Sequence, residues 1–134
     1  MEPELTIQQV AAETGLSGHT LRYYERIGLI GPVERATNGH RRYTAADVGW
    51  VDLLKRLRAT GMPIAQMKQY ADLQRQGDES FGLRLALLEA HQQRVLQKLD
   101  ELQQNLSIIE YKIDIYSKLK EEYEEAAGEA LPTA

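Results

Sequence analysis

At 134 residues with a net charge of −4, the chain has room for one compact domain and a second segment of simple form. It contains no cysteine, which excludes disulfides, thiolate metal ligands and cysteine nucleophiles, and its three histidines lack the spacing of a metal site, so neither metal nor cofactor is expected. The acidic N-terminus and the lack of a long apolar run predict neither a signal peptide nor a membrane span, as is typical of a soluble cytoplasmic protein.

Two short helices joined by a tight turn are predicted first. Thr6 and Gln9 form a capping-box sequence that predicts a helix start, and Gly15 predicts its end. Ser17 then caps a second helix, which ends at Gly28 and has apolar residues at helical spacing: Leu21, Tyr24 and Ile27. This pair is typical of a helix-turn-helix motif, although the local pattern alone also fits any small helical hairpin.

A β-hairpin is predicted next, over residues 33–43. Asn38-Gly39 lies between two short flanks, and both residues tolerate the positive φ of a tight hairpin turn. Alternation along a strand places Arg41 and Tyr43 on one face and Arg42 on the other. A hairpin that follows a helix-turn-helix in this way is typical of a wing.

A third and a fourth helix complete the predicted domain. Thr44 and Asp47 form another capping sequence, and one face of the helix that follows is apolar: Val48, Val51, Leu54 and Leu57. The pattern breaks at Gly61 and resumes at Ile64 as a shorter helix. We place this domain at residues 1–76.

The rest of the sequence predicts one long helix. Beyond a polar linker at residues 74–80, apolar residues recur at helical spacing, and between Val95 and Tyr116 the steps alternate four and three without a break. A helix from about Phe81 to Ala127 would be roughly 70 Å long. A single helix of that length cannot bury its own apolar stripe.

A second copy of the chain is the expected cover for this stripe, which predicts a homodimer. Folding back onto the compact domain would cover only the first turns of the helix. We place the linker and dimerisation helix at residues 77–127 and a solvated tail at 128–134. The residues predicted at the dimer seam are Leu88, Val95, Leu99, Leu102, Leu106, Ile109, Ile113 and Tyr116.

Charge is distributed unevenly along the chain. Ser17–Arg58 carries eight basic and four acidic residues, whereas the segment from Ala71 onwards carries seven basic and thirteen acidic residues. The first segment can attract phosphates and the second repels them, which favours one DNA-facing end and one partner-facing end. At the start of the second helix, Arg22 could place a bidentate fork on guanine.

Some of these residues have a plainer interpretation. Arg22 and Arg42 could be solvated surface arginines. For His19, a solvated surface position and a DNA contact are about equally good interpretations. Tyr43 could pack in the core against the third helix rather than face DNA. Arg35 and the other hairpin arginines would hold phosphates, so that binding weakens as the salt concentration rises.

The chain resembles the MerR family of bacterial regulators in three spaced runs: Leu21–Ile30, Asn38–Tyr43 and Gly61–Ile64. The long helix, especially Ile108–Tyr116, is similar to that of small members that respond to aldehydes and other electrophiles. The resemblance implies a mainly α fold, in which a winged helix-turn-helix DNA-binding domain precedes a long dimerisation helix in an antiparallel coiled coil. It also implies a transcriptional regulator that binds a palindromic promoter operator and distorts it for RNA polymerase.

The resemblance also assigns DNA contacts to positions of this chain. In the second helix they are Arg22 and Tyr24, and His19 stands where many members place a base-contacting residue. From their place at the start of that helix, Ser17, Thr20 and Tyr23 are also candidate DNA contacts. In the hairpin the assigned contacts are Arg35, Arg41 and Tyr43, and the position of Arg42 on the same hairpin makes it a further candidate. Members that sense electrophiles or metals commonly use cysteines, so this chain cannot sense in that way, and its effector stays unknown.

Two other interpretations remain beside the regulator. Excisionases share the winged fold and bend DNA, so an architectural or recombination factor is an alternative, which the long seam disfavours. An enzyme is not expected, because no convergent set of acid, base and nucleophile is present. Tyr111, Tyr116 and Tyr123 could line an effector pocket, although packing in the seam is the favoured role.

Overall fold

The structure is a computed structural model that describes residues 4–31 and 43–130. The predicted hairpin turn and most of the predicted wing lie outside these residues. The described elements are α1 (Ile7–Thr14), α2 (Gly18–Arg26), α3 (Ala45–Ala59), α4 (Ile64–Arg75), a short 3₁₀ turn (Asp78–Ser80) and α5 (Phe81–Ala130). The two described ranges contain helices and one isolated antiparallel bridge, between Leu5 and Tyr43.

Side-chain caps fix the starts of α1 and α3. The Thr6 hydroxyl accepts a hydrogen bond from the Gln9 N–H at 3.2 Å, and the Gln9 side chain accepts from the Thr6 N–H at 2.8 Å. Thr44 and Asp47 make the same reciprocal pair at the start of α3. These caps satisfy N–H groups that have no partner inside a helix, and both predicted helix starts are confirmed.

The turn between α1 and α2 gives the predicted helix-turn-helix its geometry. Gly15 ends α1 with φ +76°, a left-handed conformation that glycine adopts without strain. Two residues later the Ser17 hydroxyl accepts a hydrogen bond from the Thr20 N–H at 3.1 Å and so starts α2. Leu16 packs on the core from within the turn.

One hydrophobic core joins the first four helices. It contains buried residues from each helix and from the segments between them: Val10, Leu21, Tyr24, Leu29, Ile30, Tyr43, Val51, Leu54, Leu57, Met62, Met67, Tyr70 and Ala71. Trp50 links this core to the segment after α2, because its indole N–H donates a hydrogen bond to the Leu29 carbonyl at 2.8 Å. The Trp50 ring also stacks on the Tyr70 ring, with 5.4 Å between the ring centroids. The core holds α2 at the surface with one side inward.

The segment predicted as a polar linker is an ordered joint. The α4 helix continues to Arg75, and Ser80 is buried, its hydroxyl donating to the carbonyls of Leu73 and Gly77. Arg84 in α5 donates to the Ser80 hydroxyl at 2.9 Å and to the Gly77 carbonyl at 2.8 Å. A polar composition indicated a linker here, but the polar groups bond to one another and to the main chain.

The chain forms two compact units, Met1–Gln92 and Gln93–Ala134, so the first turns of α5 belong to the first unit. Leu87 and Leu88 pack against the core, and the buried His91 ring lies 2.8 Å through Nε2 from the Thr60 hydroxyl. The second unit is helical up to Ala130. None of the helices in the described ranges has the length and apolar character needed to cross a membrane.

Candidate nucleic-acid interface

One side of α2 faces solvent and carries most of the contact residues predicted in that helix. Ser17, His19, Arg22 and Tyr23 are exposed and Thr20 is half-buried, whereas Leu21 points into the core. The Ser17 cap also bonds the Thr20 hydroxyl at 3.0 Å, so both hydroxyls at this helix start are already engaged. The exposed side chains project from a helix that the core holds in place.

Arg22 is the exposed residue of α2 best suited to reach a base. Its guanidinium lies back along the helix, with its two terminal nitrogens 3.6 and 3.7 Å from where a β-carbon on Gly18 would stand. Within residues 4–31 and 43–130 the guanidinium forms no hydrogen bond or ion pair. Its planar fork of donors therefore stays available for a bidentate acceptor such as the O6 and N7 atoms of guanine.

Tyr23 and Arg26 form a second exposed group one turn further along α2. The Arg26 guanidinium carbon lies 5.6 Å from the centre of the Tyr23 ring, within the range of a cation–π contact. The Tyr23 ring is also 6.1 Å from that of Tyr24. A hydroxyl beside a cation is suited to binding a phosphate oxygen. From the sequence, Arg26 contributes to the basic charge of Ser17–Arg58 but is not among the predicted DNA contacts.

Tyr24 and Tyr43 lie in the core. Tyr24 is 6% exposed, and burial raises the pKa of its hydroxyl above the usual value, an effect that the positive charge of Arg58 partly opposes. Tyr43 is fully buried, and its main chain pairs with Leu5 through hydrogen bonds of 2.7 and 2.8 Å. The structure therefore favours core packing for the Tyr43 side chain over the DNA contact expected from the hairpin pattern.

The remaining predicted contacts of the hairpin are arginines. Arg35, Arg41 and Arg42 lie outside the described residues, so their grouping with α2 stays a prediction. Three further exposed cations do lie on α3: Lys55, Arg56 and Arg58. Arg56 pairs with Asp52 at 3.0 Å, whereas Lys55 contacts the turn before α2, a long-range contact that no local pattern in the sequence indicates.

The predicted dimer seam is exposed along most of its length. Leu88 is half-buried against the core of its own unit, and Val95 is half-buried too. The other six seam residues are each between 50% and 64% exposed: Leu99, Leu102, Leu106, Ile109, Ile113 and Tyr116. Soluble monomeric proteins rarely expose such a continuous row of large apolar side chains to water.

The described residues hold no cluster of three or more histidine or acidic side chains that could bind a metal ion. The tyrosines considered for an effector site, Tyr111, Tyr116 and Tyr123, are exposed on α5. The chemistry of the described surface is thus that of an arginine-bearing helix and an apolar helix face.

Two family models match the chain. The model of the MerR HTH family regulatory protein matches residues 5–74, and the model of MerR, DNA binding matches residues 48–110. An uncharacterized HTH-type transcriptional regulator of Haemophilus influenzae is 36% identical over 115 residues, which cover 86% of this chain and 85% of that relative. The HTH-type transcriptional regulator AdhR of Bacillus subtilis is 39% identical over 93 residues, covering 69% of this chain and 66% of AdhR.

Two solved structures are similar in fold along nearly the whole chain. HiNmlR, a MerR family regulator lacking the sensor domain and crystallised with promoter DNA, matches with a TM-score of 0.81 and 36% identity over 88% of this chain and 94% of its own. A MerR family transcriptional regulator from Listeria monocytogenes matches with a TM-score of 0.84 and 31% identity, covering 95% of this chain and 99% of its own.

Proposed function

This chain belongs to the MerR family of DNA-binding transcriptional regulators, and from that premise we propose that it binds a palindromic promoter operator as a homodimer and distorts the DNA to control transcription initiation. The observation that carries the proposal is the exposed guanidinium of Arg22, which bonds none of the described residues, on a helix that packs on the core. The matched relative bound to promoter DNA supports it.

In this proposal α2 is the recognition helix and enters the major groove. Arg22 contacts a guanine, His19 contacts a neighbouring base edge or phosphate, and Tyr23 with Arg26 contacts the backbone, while Ser17 caps the helix. The hairpin arginines would add phosphate contacts from a wing. Because phosphate contacts displace counterions, operator affinity should fall steeply with salt.

The homodimer forms in this proposal through the exposed face of α5. A fully buried leucine or isoleucine contributes about 1.5–3 kcal/mol relative to exposure in water, and the six exposed seam residues are about half-covered already. Two chains together therefore gain on the order of 10 kcal/mol before the entropic cost of association. This gross gain is of the same order as the entropic cost of association, so the seam favours a dimer whose stability depends on the protein concentration.

The spacing of the seam residues fits an antiparallel pair of helices. The seam residues alternate between the two apolar heptad positions, a and d. When the two helices run in opposite directions, an a residue of one helix lies opposite a d residue of the other. With Leu99 opposite the partner's Leu102, the pattern pairs Val95 with the partner's Leu106 and Leu88 with the partner's Ile113.

Neighbouring registers fit less well. In the register above, Ile109 is the one seam residue that meets a polar side chain, the partner's Gln92. A slip of one heptad in one direction places Leu88 opposite the partner's Lys120 and Tyr116 opposite the partner's Gln92. A slip the other way places Leu102 opposite the partner's Gln92 and moves Tyr116 past the start of the partner's helix.

Disulfide cross-linking tests this arrangement, because the chain has no cysteine of its own. Purified Val95→Cys and Leu106→Cys proteins, dissociated, mixed and oxidised, should form a covalent heterodimer, since an antiparallel pair brings these positions into bonding range. Each variant oxidised alone should remain uncross-linked. A parallel coiled coil predicts the reverse pattern, in which each single variant cross-links with itself.

Footprinting tests the proposed function as a whole. On genomic fragments retained by the purified protein, we expect a protected inverted repeat between two promoter elements, with half-sites a whole number of helical turns apart. Distortion should appear as enhanced nuclease cleavage near the centre of the repeat. Protection without two-fold symmetry would contradict a homodimeric reader, and failure to retain any fragment at low salt would contradict DNA binding.

A further inference from the structure

Lys55 of α3 reaches the turn between α1 and α2. Its stem leaves α3 next to the buried Leu54, and its Nζ donates a hydrogen bond to the main-chain carbonyl of Thr14 at 2.5 Å. Thr14 is the last residue of α1 and lies 41 positions earlier in the sequence. A single side chain thus links α3 to the segment that leads into α2.

Local hydrogen bonds already satisfy the neighbouring groups of this turn. The Gly15 N–H donates back into α1 at 2.8 Å. The Thr14 hydroxyl donates to the Val10 carbonyl at 2.8 Å and accepts from the Leu16 N–H at 3.3 Å. The Thr14 carbonyl belongs to the last turn of α1, where carbonyls lack partners within the helix and the helix dipole favours a cation. Lys55 supplies that cation.

Gly15 leaves the space that the ammonium group occupies. A β-carbon at Gly15 would stand 3.1 Å from Nζ of Lys55, which is tighter than nine in ten real β-carbon contacts, so the ammonium group would have to shift. The φ of +76° at this residue disfavours a side chain as well. The missing side chain therefore permits both the left-handed turn and the approach of Lys55.

The segment after α2 is bonded by side chains of α3 and α4. Trp50 on α3 donates its indole N–H to the Leu29 carbonyl at 2.8 Å, and Arg75 on α4 donates to the Gly28 carbonyl. Side chains of α3 and α4 therefore bond main-chain carbonyls before and after α2. Lys55 acts on the N-terminal side, where Ser17, His19 and Arg22 are exposed.

We propose that Lys55 is a positioning residue that orients the recognition helix for base discrimination by holding the Thr14 carbonyl. This inference rests on the proposed DNA-binding function. Bidentate contacts to a base require a narrow range of distance and angle, whereas contacts to the flexible, repeating backbone tolerate a shifted helix. Loosening the turn should therefore lower operator affinity more than affinity for unrelated DNA.

Four full-length proteins test the proposal: the wild type, Lys55→Met, Lys55→Arg and Lys68→Met. Lys68 is the matched control, because it is exposed on α4 and forms no hydrogen bond or ion pair with the described residues. The probes are a duplex selected by the wild type from random-sequence DNA and the same duplex with its half-sites scrambled. Each affinity is measured over a range of salt concentrations, and thermal unfolding is followed without DNA.

We expect Lys55→Met to lose about tenfold in affinity for the selected duplex, because a shifted recognition helix weakens the base contacts in both half-sites. Its affinity for the scrambled duplex and its salt slope should match those of Lys68→Met. Lys55→Arg should restore discrimination, because a guanidinium can also donate to the Thr14 carbonyl. Amide exchange of residues 15–17 should be faster in Lys55→Met.

Other results overturn the proposal. Equal losses on both duplexes, with a salt slope lower by about one unit than that of Lys68→Met, would make Lys55 a phosphate contact instead. Equal discrimination by Lys55→Met and Lys68→Met would leave Lys55 without a positioning role, and so would a lowered unfolding temperature with unchanged discrimination. A wild type that selects no sequence would overturn the proposed function itself.

Discussion

Replacing Arg22 with alanine is expected to remove operator binding above the level of random DNA while leaving the dimer intact. The guanidinium is exposed, makes no bond within the described residues and lies on the solvent side of α2. A bidentate arginine–guanine pair contributes about 1–3 kcal/mol of discrimination, and a dimer carries two copies. The combined loss is then roughly 2–6 kcal/mol, which corresponds to a thirtyfold loss of affinity or more.

Arg26→Ala is the control for the lost charge. Arg26 is exposed on the same helix and contacts the Tyr23 ring, so its removal should weaken binding to all sequences alike. Titrations against a selected and a scrambled duplex separate the two effects, and sedimentation reports the state of the dimer. If Arg22→Ala kept full operator affinity, α2 would not be the recognition helix.

The double variant Leu102→Lys/Leu106→Lys is expected to be a monomer at concentrations where the wild type is a dimer. Both leucines are more than half exposed in one chain and lie at the middle of the seam. Burying four added ammonium groups per dimer costs more than the seam gains, because unpaired buried charges are strongly disfavoured. Operator affinity should fall with the dimer, since each half-site must then be bound separately.

The matched control places the same two charges elsewhere on α5. Gln97 and Gln104 are exposed and bond only acidic side chains of their own helix among the described residues, at Glu101 and Asp100. They lie outside the four-three pattern, so Gln97→Lys/Gln104→Lys should remain a dimer in sedimentation. A dimeric Leu102→Lys/Leu106→Lys protein would refute the seam.

Helix boundaries could be predicted from the sequence because capping is a local interaction. Thr6 with Gln9, Ser17, and Thr44 with Asp47 each act within three residues, and the structure has each cap where the sequence indicated it. The same holds for the apolar face of α3, since the core residues of a helix follow its own period.

Features that depend on distant contacts could not be predicted in this way. The polar residues around Ser80 in the sequence indicated an exposed linker. In the structure Ser80 is buried, and its hydroxyl is satisfied by main-chain carbonyls. Lys55 is one of the eight basic residues of Ser17–Arg58, and no local pattern indicates its bond to Thr14, which exists only in the folded domain. For Tyr43, the alternation along the hairpin predicts which face the side chain shares with Arg41, but not whether that face meets DNA or the core. In the structure the Tyr43 side chain lies in the core.

Because one face of α5 is uncovered in a single chain, the stability of the protein should depend on its concentration. If a second copy supplies the missing contacts, dilution separates the chains by mass action, and each tenfold dilution removes about 1.4 kcal/mol from the assembled state. A lone helix without tertiary packing frays in water, which exposes its main chain to proteases. A cell that makes little of this regulator would therefore also lose what it makes more quickly, so its lifetime is coupled to its own rate of synthesis.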